Sequence, residues 1–160
     1  MPETTSQDSA PWRSNHLGHW LRLALERFDG RVMELMAHHP GVPLGLANLA
    51  ARGQVGAAHI HITRHLPKGG ARLTALAQAA GMSKQAMGTL VTQCEAWGMV
   101  RREDDPLDAR AKRVVFTATG LAWLTAYQDA VAQAEDEMRA ATSAEVVTVI
   151  AIGLEAYSGQ

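Results

Sequence analysis

Residues 73–120 decide the fold, and they read LTALAQAAGMSKQAMGTLVTQCEAWGMVRREDDPLDARAKRVVFTATG. In the first half of this stretch, apolar residues recur every three to four positions, which is the spacing of an amphipathic helix. The pattern predicts two short helices, over 72–80 and 83–97, with a break at Gly81 between them. Ser83 is a residue type that caps helix N-termini well, so we expect the second helix to begin there. Two short helices joined by a tight turn indicate a helix-turn-helix.

The second half of the stretch predicts a β-hairpin. Gly98 stands where helices end most readily, and runs rich in β-forming residues follow at 99–102 and 113–117. Residues 103–112 between these runs are polar and include Pro106, which is typical of a hairpin tip. A two-stranded β-hairpin directly after a helix-turn-helix predicts a winged helix-turn-helix, with the hairpin as its wing.

The sequence on both sides of this core is predicted to be helical. Residues 1–15 are polar and are expected to form a flexible arm, and 16–160 to form one mainly α domain whose winged-helix core spans about 54–118. The apolar stripes of the last two helices are predicted to be Leu121, Leu124, Tyr127, Val131, Ala134 and Met138, then Val146, Val149, Ile150, Leu154 and Tyr157.

Composition excludes several classes of protein. With 47% apolar and 19% charged residues, the chain is not of the disordered type. No apolar run approaches the roughly 18 residues of a membrane span, and the polar N-terminus does not resemble a secretory signal. Cys94 is the single cysteine, so no internal disulfide forms and a cytoplasmic location is predicted. Because no phosphate-binding glycine loop, nucleophile motif or metalloprotease motif is present, we expect neither an enzyme nor a cofactor.

Positive charge is concentrated in one part of the chain. Residues 35–94 contain five basic residues and no acid, whereas residues 118–160 contain six acids and one base. The net charge of −1 therefore does not argue against nucleic-acid binding, because the charge is unevenly distributed. The alternative is that 35–94 is mostly buried and lacks acids for that reason.

The second helix of the predicted pair has the surface that DNA reading requires. A recognition helix buries one face and turns polar, short side chains toward base edges in the major groove. At about 100° per residue, the face opposite the apolar one holds Lys84, Gln85, Gly88, Thr89 and Thr92. Gln85 can pair with adenine, Lys84 can reach guanine or phosphate, and threonine methyls can contact thymine. The alternative is an ordinary solvated helix face.

Basic residues also surround the predicted wing. They are Arg101, Arg102, Arg110, Lys112 and Arg113. A basic hairpin beside a recognition helix can follow the DNA backbone and place an arginine in the minor groove. The acids of the hairpin are expected to be internal partners, and Asp108 is predicted to orient the Arg110 guanidinium by a charge-assisted hydrogen bond. The alternative is that this pair only stabilises the turn.

These motifs resemble the winged-helix core of the MarR family of bacterial transcription regulators. The similarity lies in GMSKQAM at 81–87, DPLDARAK at 105–112 and TATG at 117–120, in that order and spacing. It implies a homodimer formed by the first and last helices, within 17–51 and 119–158. It also implies binding to near-palindromic double-stranded DNA, usually as a repressor.

The resemblance carries DNA contact to particular positions. By motif position these are Ser83, Lys84, Gln85 and Arg110, and the basic residues Arg72 and Lys112 complete the predicted set. One departure concerns the middle of the recognition helix. Helices of this family often carry arginines there, where this sequence has Thr89, Thr92 and Gln93.

The resemblance further implies a small effector, often aromatic and acidic, bound between the dimer helices and the winged helix. We expect an organic anion against Trp20 and the histidines His59, His61 and His65. His61 and His65 are four residues apart on a helix, a spacing that can bind zinc, but two histidines without further ligands favour no metal site. A redox sensor using Cys94, and a winged helix that binds protein instead of DNA, are the alternatives left open.

Overall fold

The computed structural model describes residues 11–159, without the side chains at positions 11, 57, 58, 60, 61 and 109. Most of the predicted arm, 1–15, therefore lies outside the described residues. The described part begins with a 3-10 turn at Pro11–Arg13. His16 then caps the first helix, because its Nδ1 atom accepts a hydrogen bond from the His19 backbone N–H at 3.2 Å.

The described residues form seven α-helices and a three-stranded antiparallel sheet. The helices are α1 Leu17–His38, α2 Leu44–Ala51, α3 Ala57–His65, α4 Leu73–Ala79, α5 Lys84–Ala96, α6 Ala118–Ala141 and α7 Ala144–Ser158. The strands are β1 Ala71–Arg72, β2 Val100–Asp105 and β3 Asp108–Phe116, and their order in the sheet is β1-β3-β2. The predicted mainly α winged helix-turn-helix is confirmed.

The pair α4 and α5 is the predicted helix-turn-helix. Ser83 caps α5 as expected, since its Oγ accepts the Ala86 backbone N–H at 3.1 Å. The helix buries Met87 and Cys94 completely on its inner face. Gly98 follows with a φ of 73°, a left-handed conformation that glycine adopts without strain. Gly98 therefore fixes where the recognition helix ends and the wing begins.

The strands of the wing are longer than predicted. Most of 103–112, expected to be a polar tip, belongs to β2 and β3, and the turn itself is confined to residues 106–107. The reason is that opposite charges face each other across the two strands, with Glu103 opposite Arg113 in the ladder. The polar composition of 103–112 therefore reflects two paired strands with complementary charges rather than a loop.

β1 is a third strand that the sequence pattern did not predict. Ala71 and Arg72 pair with Val114 and Arg113 of β3. Two residues are too few to show a periodicity, so the sequence did not reveal this strand, which adds to the predicted two-stranded hairpin of β2 and β3. The added strand attaches the start of α4 to the wing, so the helix-turn-helix and the hairpin share one sheet.

The most deeply buried residues of α6 differ from those of the predicted stripe. Its buried residues are Gly120, Trp123, Ala126, Ala130 and Ala134, and of these only Ala134 belongs to the predicted stripe. The small side chains let α6 pack closely against α1. Trp123 anchors the start of α6, because its indole N–H donates to Thr63 Oγ1 of α3 at 3.2 Å in the core. Leu124, Tyr127 and Val131 of the predicted stripe are partly buried against the core, but the prediction missed the fully buried alanines, because alanines carry little weight in a hydrophobic pattern.

α7 is apolar along most of its length but has little to pack against. Val147 is its one buried residue. The predicted stripe of Val146, Val149, Ile150, Leu154 and Tyr157 is 38% to 90% exposed. No single described helix has the length and apolar composition of a membrane span, although α6 and α7 meet those criteria together across a 120° bend.

Candidate nucleic-acid interface

The face of α5 that was predicted to read DNA is open in the structure. Lys84, Gln85, Thr89 and Thr92 are exposed, and Gly88 is half-buried. The two threonine hydroxyls donate to carbonyl oxygens one turn earlier, Thr89 to Gln85 O at 3.2 Å and Thr92 to Gly88 O at 2.9 Å. Because these hydroxyls donate within the helix, the threonines present chiefly their methyl groups to a partner.

Glu103 neutralises two arginines of the wing. Its carboxylate lies 2.6 Å from Arg113 Nη2 across the ladder and 2.9 Å from Arg101 Nη2 on its own strand. The hydrogen bond from Arg113, followed by that from Arg101, lowers the pKa of Glu103 below its ordinary value. The acids of the wing are therefore internal partners of its cations, as the sequence predicted.

Arg72 is held by acids of the hairpin turn. Its Nε donates to Asp105 Oδ2 at 2.6 Å, and its Nη2 lies 3.6 Å from Asp108 Oδ2. The bond from Arg72, then the Leu107 backbone N–H at 2.9 Å, lowers the pKa of Asp105. Since Asp105 is buried, this cluster joins β1 firmly to the turn of the wing. Arg72 would thus bring a largely neutralised charge to any DNA contact.

Asp108 does not hold the Arg110 side chain as predicted. Its Oδ1 accepts the Arg110 backbone N–H at 3.1 Å, while Oδ2 faces Arg72. Among the described contacts, none joins Asp108 to the Arg110 guanidinium, so the prediction of a direct carboxylate–guanidinium bond is wrong. In a tight turn an aspartate reaches the backbone N–H two residues on more readily than the side chain beyond it. Asp108 fixes the backbone at Arg110 and leaves the guanidinium open.

Lys84 and Arg110 differ from the other cations of the predicted set. Within the part of the chain that the structure describes, neither side chain pairs with an acid. Lys112 lies 2.5 Å from Asp104, but both side chains are more than 60% exposed. Such an exposed pair is weak and can exchange partners. Of the four cations in the predicted DNA-contact set, two are therefore unpaired, Lys84 at the start of α5 and Arg110 on the wing.

Arg102 of β2 makes contacts that sequence reasoning missed. Its backbone N–H donates to Glu95 Oε1 at 3.0 Å, its Nη1 bonds Glu95 Oε2, and its Nη2 donates to Thr92 Oγ1 at 3.1 Å. The first wing strand is thereby attached to the side of α5. One feature of the sequence could have indicated this contact. Glu95 is the single acid of α5 and has no basic residue three or four positions away, so its partner must come from another element.

His59 belongs to the interior of the winged helix. Its Nδ1 accepts the Gly56 backbone N–H at 3.1 Å, its Nε2 lies 2.8 Å from Gln93 Oε1, and its ring centre is 4.6 Å from that of Trp97. The expectation that His59 lines a pocket with Trp20 is wrong, because Nδ1 bonds the backbone at the start of α3 and Nε2 joins α3 to Gln93 of α5.

Trp20 lines a cavity of about 650 Å³ between α1 and α6. Its walls include Trp20, Arg27, Phe28, Arg31 and Met138, and none of the described histidines. His65 does not line it, and the His61 side chain lies outside the described residues. Trp20 stands in the first half of α1, against the end of α6, whereas α3 packs near Trp123 at the start of α6. The predicted grouping of Trp20 with His59 and His65 is therefore wrong.

The cavity is lined by two arginines, of which one is paired with acids and the other is not. Arg31 lies 2.7 Å from Glu137 and 2.8 Å from Glu34, and its hydrogen bond is the main cause of the lowered pKa of Glu137. Arg27 pairs with no acid among the described residues. The cavity thus combines aromatic walls with one guanidinium that lacks a counter-charge.

Cys94 lies in the core of the winged helix. Burial raises the pKa of its thiol to about 12, so the reactive thiolate form is suppressed. The described residues contain no group of three or more histidine, cysteine or acidic side chains placed to hold a metal ion. Neither observation favours a redox-responsive or metal-responsive regulator.

A sequence model of the MarR family matches residues 60–111, from α3 into β3. The chain has the MarR fold. The resemblance seen in the sequence motifs is thereby confirmed, and the MarR family consists of transcription regulators. No curated protein matches the sequence significantly.

Solved MarR structures extend the likeness over nearly the whole chain. BpsR of Bordetella bronchiseptica, whose DNA binding is regulated by 6-hydroxynicotinic acid, is 18% identical with a TM-score of 0.66, covering 92% of this chain and 96% of its own. CouR of Rhodococcus jostii, a transcriptional repressor solved with a 23-mer DNA duplex, is 18% identical with a TM-score of 0.67, covering 96% and 99%. MarR of E. coli is 17% identical with a TM-score of 0.64, covering 89% and 96%. At sequence identities of 17% to 18%, this structural similarity establishes the fold alone.

Proposed function

We propose that this protein is a sequence-specific regulator of transcription that binds double-stranded DNA and acts as a repressor. The observation that carries the proposal is the open polar face of α5 together with two unpaired cations, Lys84 at its start and Arg110 on the wing. A helix of this kind fits the major groove, and an arginine on an adjacent hairpin fits the backbone or the minor groove. CouR, which shares the fold, is described as a repressor bound to DNA.

The proposed regulator is a homodimer. Its support is the large apolar surface at both ends of the chain, where Leu17, Trp20 and Leu25 of α1 are more than half exposed, as are Val149 and Ile152 of α7. Exposed apolar patches of this kind mark association surfaces. A two-fold dimer presents two α5 helices to a near-palindrome whose half-sites lie about one helical turn, roughly 34 Å, apart.

The test of specific binding is a mobility shift with the DNA upstream of the protein's own coding sequence, followed by point changes in the bound site. Gln85→Ala is expected to lose discrimination at one base pair per half-site by about 1–3 kcal/mol, the range for a bidentate side-chain–base pair. Gln128→Ala is the matched control, since Gln128 is an exposed glutamine on α6. If Gln85→Ala bound every site variant as the parent does, the assignment of this face would be wrong.

We also propose that a small organic anion modulates DNA affinity by binding in the cavity between α1 and α6. Trp20 and Phe28 offer flat apolar walls, and the unpaired Arg27 offers a guanidinium to a carboxylate. BpsR responds to 6-hydroxynicotinic acid, and CouR has been solved with p-coumaroyl-CoA. Because α1 and α6 also connect to the proposed dimer surface, a ligand there would alter the spacing of the two winged helices.

Tryptophan fluorescence with a panel of aromatic carboxylates tests this site. We expect quenching that is lost in Trp20→Phe and an affinity at least tenfold weaker in Arg27→Gln. Arg22→Gln is the control, because Arg22 lies on the same helix but is paired with Glu26 and does not line the cavity. Equal weakening by both arginine changes would show a general charge effect rather than a site.

One observation favours a second candidate function. Most cations of the wing are neutralised by acids, which leaves a smaller electrostatic footprint than DNA binding usually requires. A winged helix that binds a protein partner fits this feature. The two functions separate in a titration with mixed-sequence duplex at low salt, where the partner-binding module shows no complex and the regulator shows weak non-specific binding.

A further inference from the structure

Leu107 at the tip of the wing is a large apolar side chain that faces solvent. It is 92% exposed, the highest value among the large hydrophobic residues that the structure describes. Between residues 45 and 120, it is the single exposed large hydrophobic residue among the described side chains. A protein-binding surface gathers several apolar side chains into one patch. An isolated leucine on a hairpin tip therefore suits a partner that accepts one apolar side chain by itself.

The turn that carries Leu107 is held in place from below. Asp105 accepts the Leu107 backbone N–H at 2.9 Å through Oδ1 and the Arg72 Nε–H at 2.6 Å through Oδ2. Arg72 Nη2 also lies 3.6 Å from Asp108 on the other side of the turn. Pro106 fixes one further backbone dihedral. Because the backbone is fixed before a partner arrives, less conformational entropy is lost when Leu107 inserts.

The wing beside this turn carries charge that suits DNA. Residues 109–111 form a bulge in β3, a feature that re-aims side chains at the rim of a sheet. Arg110 lies in this bulge, is exposed and pairs with no acid among the described residues. The acids that flank the turn, Asp105 and Asp108, are engaged by Arg72 and by backbone N–H groups. An apolar tip beside an open guanidinium complements a DNA groove, which has apolar base faces inside and phosphates along its edges.

We propose that Leu107 is an apolar wedge that enters the minor groove of each half-site and inserts between two base pairs, while Arg110 contacts the adjacent backbone. The inference rests on the proposed DNA-binding function and adds a specificity-determining residue to it. Leucine is one of the side chains that unstack base pairs in this way, which kinks the duplex by about 20–90°. Pyrimidine–purine steps unstack most easily, so the wedge should select a TA or CA/TG step.

The experiment uses the site that the full-length protein enriches from a pool of random duplexes. We expect this site to contain a fixed pyrimidine–purine step in each half-site. Replacing the adenine of that step by 2-aminopurine reports insertion, because the fluorescence of this base rises when stacking is lost. Energy transfer between dyes at the two duplex ends reports the kink. Binding of the wild-type protein should raise both signals.

Three variants at Leu107 separate the wedge from other effects. Leu107→Ala removes the apolar side chain, and Leu107→Gln keeps its approximate length but makes it polar. Both should lose the 2-aminopurine signal and reduce the kink, and preference for the step should fall about five- to 150-fold, the range for one altered base pair. Leu107→Met keeps an apolar wedge and should retain both signals. Leu44→Ala is the matched control, since Leu44 is 78% exposed but lies at the start of α2. A thermal melt of each variant confirms that it is folded.

The outcomes are distinct. Loss of the 2-aminopurine signal in Leu107→Ala and Leu107→Gln, with Leu107→Met and the Leu44 control unchanged, supports the inference. If the folded Leu107→Ala protein keeps the signal and the step preference, or if wild-type binding leaves the signal unchanged, Leu107 does not insert. The inference then fails while the proposed function stands. If the wild-type protein enriches no sequence, the proposed function fails and takes this inference with it.

Discussion

The winged helix buries its large apolar residues, whereas α7 leaves most of its own exposed to solvent. In the winged helix, α5 buries Met87, Val91 and Cys94 completely, and Glu103 and Asp105 neutralise nearby arginines. α7 is an equally regular helix, yet it buries only Val147 and leaves an apolar stripe in the open. The winged helix satisfies its packing and most of its charge within a single chain, whereas α7 leaves most of its apolar surface unpacked.

This difference indicates that the two regions have different partners. A surface that is polar, with two unpaired cations, suits a hydrated and negatively charged ligand such as DNA. A surface that is apolar and lacks unpaired cations suits a second protein surface, here that of another copy. The comparison predicts that changes in the exposed stripe of α7 act on assembly, whereas changes at the exposed residues of α5 and at Arg110 act on DNA binding without changing assembly.

The largest effect is expected from a charge placed in the α7 stripe. Ile150→Asp should convert the proposed dimer to a monomer in light scattering at micromolar concentration, because a buried unpaired carboxylate costs several kcal/mol. Operator affinity should fall at least 100-fold, since both half-sites can no longer be bound together. Gln128→Asp is the control, because Gln128 is an exposed polar residue of α6 and lies outside the apolar surface of α7. A dimeric Ile150→Asp protein would show that the stripe is not the interface.

The next effect concerns Gly120, where the start of α6 packs against the wing. A Cβ on Gly120 would overlap the Met99 carbonyl oxygen and crowd the Phe116 ring, so α6 can start against the wing only with glycine there. Gly120→Ala should lower the free energy of unfolding by about 1–3 kcal/mol in a urea titration, as overpacking does. Gly30→Ala on α1 meets no atom within 4 Å and should instead stabilise by about 0.5–1 kcal/mol. Equal behaviour of the two variants would contradict this account.

The same comparison shows which features could be predicted from sequence. The turn residues Ser83 and Gly98 and the apolar spacing of α5 determine local structure, and the structure agrees with them. The open face of α5 follows from the same periodicity, because the inner face is fixed by the large apolar residues. Local signals of this kind are sufficient where each helix packs within one compact unit.

Features that depend on distant partners could not be predicted. The face of α6 is decided by its fit to α1, and β1 exists only because β3 lies beside it. Asp108 was assigned to the Arg110 side chain, but a backbone N–H and the distant Arg72 compete for the carboxylate. Arg102 and Glu95 are seven residues apart and meet only because the chain reverses at Gly98. Each of these contacts requires the tertiary fold.

A smaller effect is expected from the cations of the wing. Arg110→Ala should weaken binding to all duplexes alike and reduce the slope of log K against log salt by about 0.9 per chain, because one phosphate contact is lost. Lys112→Ala should change the slope less, since Lys112 already shares its charge with Asp104. Titrations at three salt concentrations measure both slopes. A larger slope change for Lys112 would reverse the assignment of unpaired and paired cations.

The smallest effect is a pH dependence inside the winged helix, at the bond between Arg72 and Asp105. The pKa of Asp105 is lowered in the folded protein, chiefly by that bond, so the carboxylate stabilises the fold above its ordinary pKa of 3.8. This stabilisation is lost as the pH falls through the lower folded-state pKa. Asp105→Asn keeps an oxygen for the Leu107 N–H but removes the charge, so its melting temperature should lie below that of the wild type at pH 7. The gap should close as the pH falls below 3.8.

Asp104→Asn, which breaks only the exposed pair with Lys112, should show a smaller gap at pH 7. If the two variants gave equal gaps at every pH, Asp105 would contribute no more to stability than an exposed surface charge.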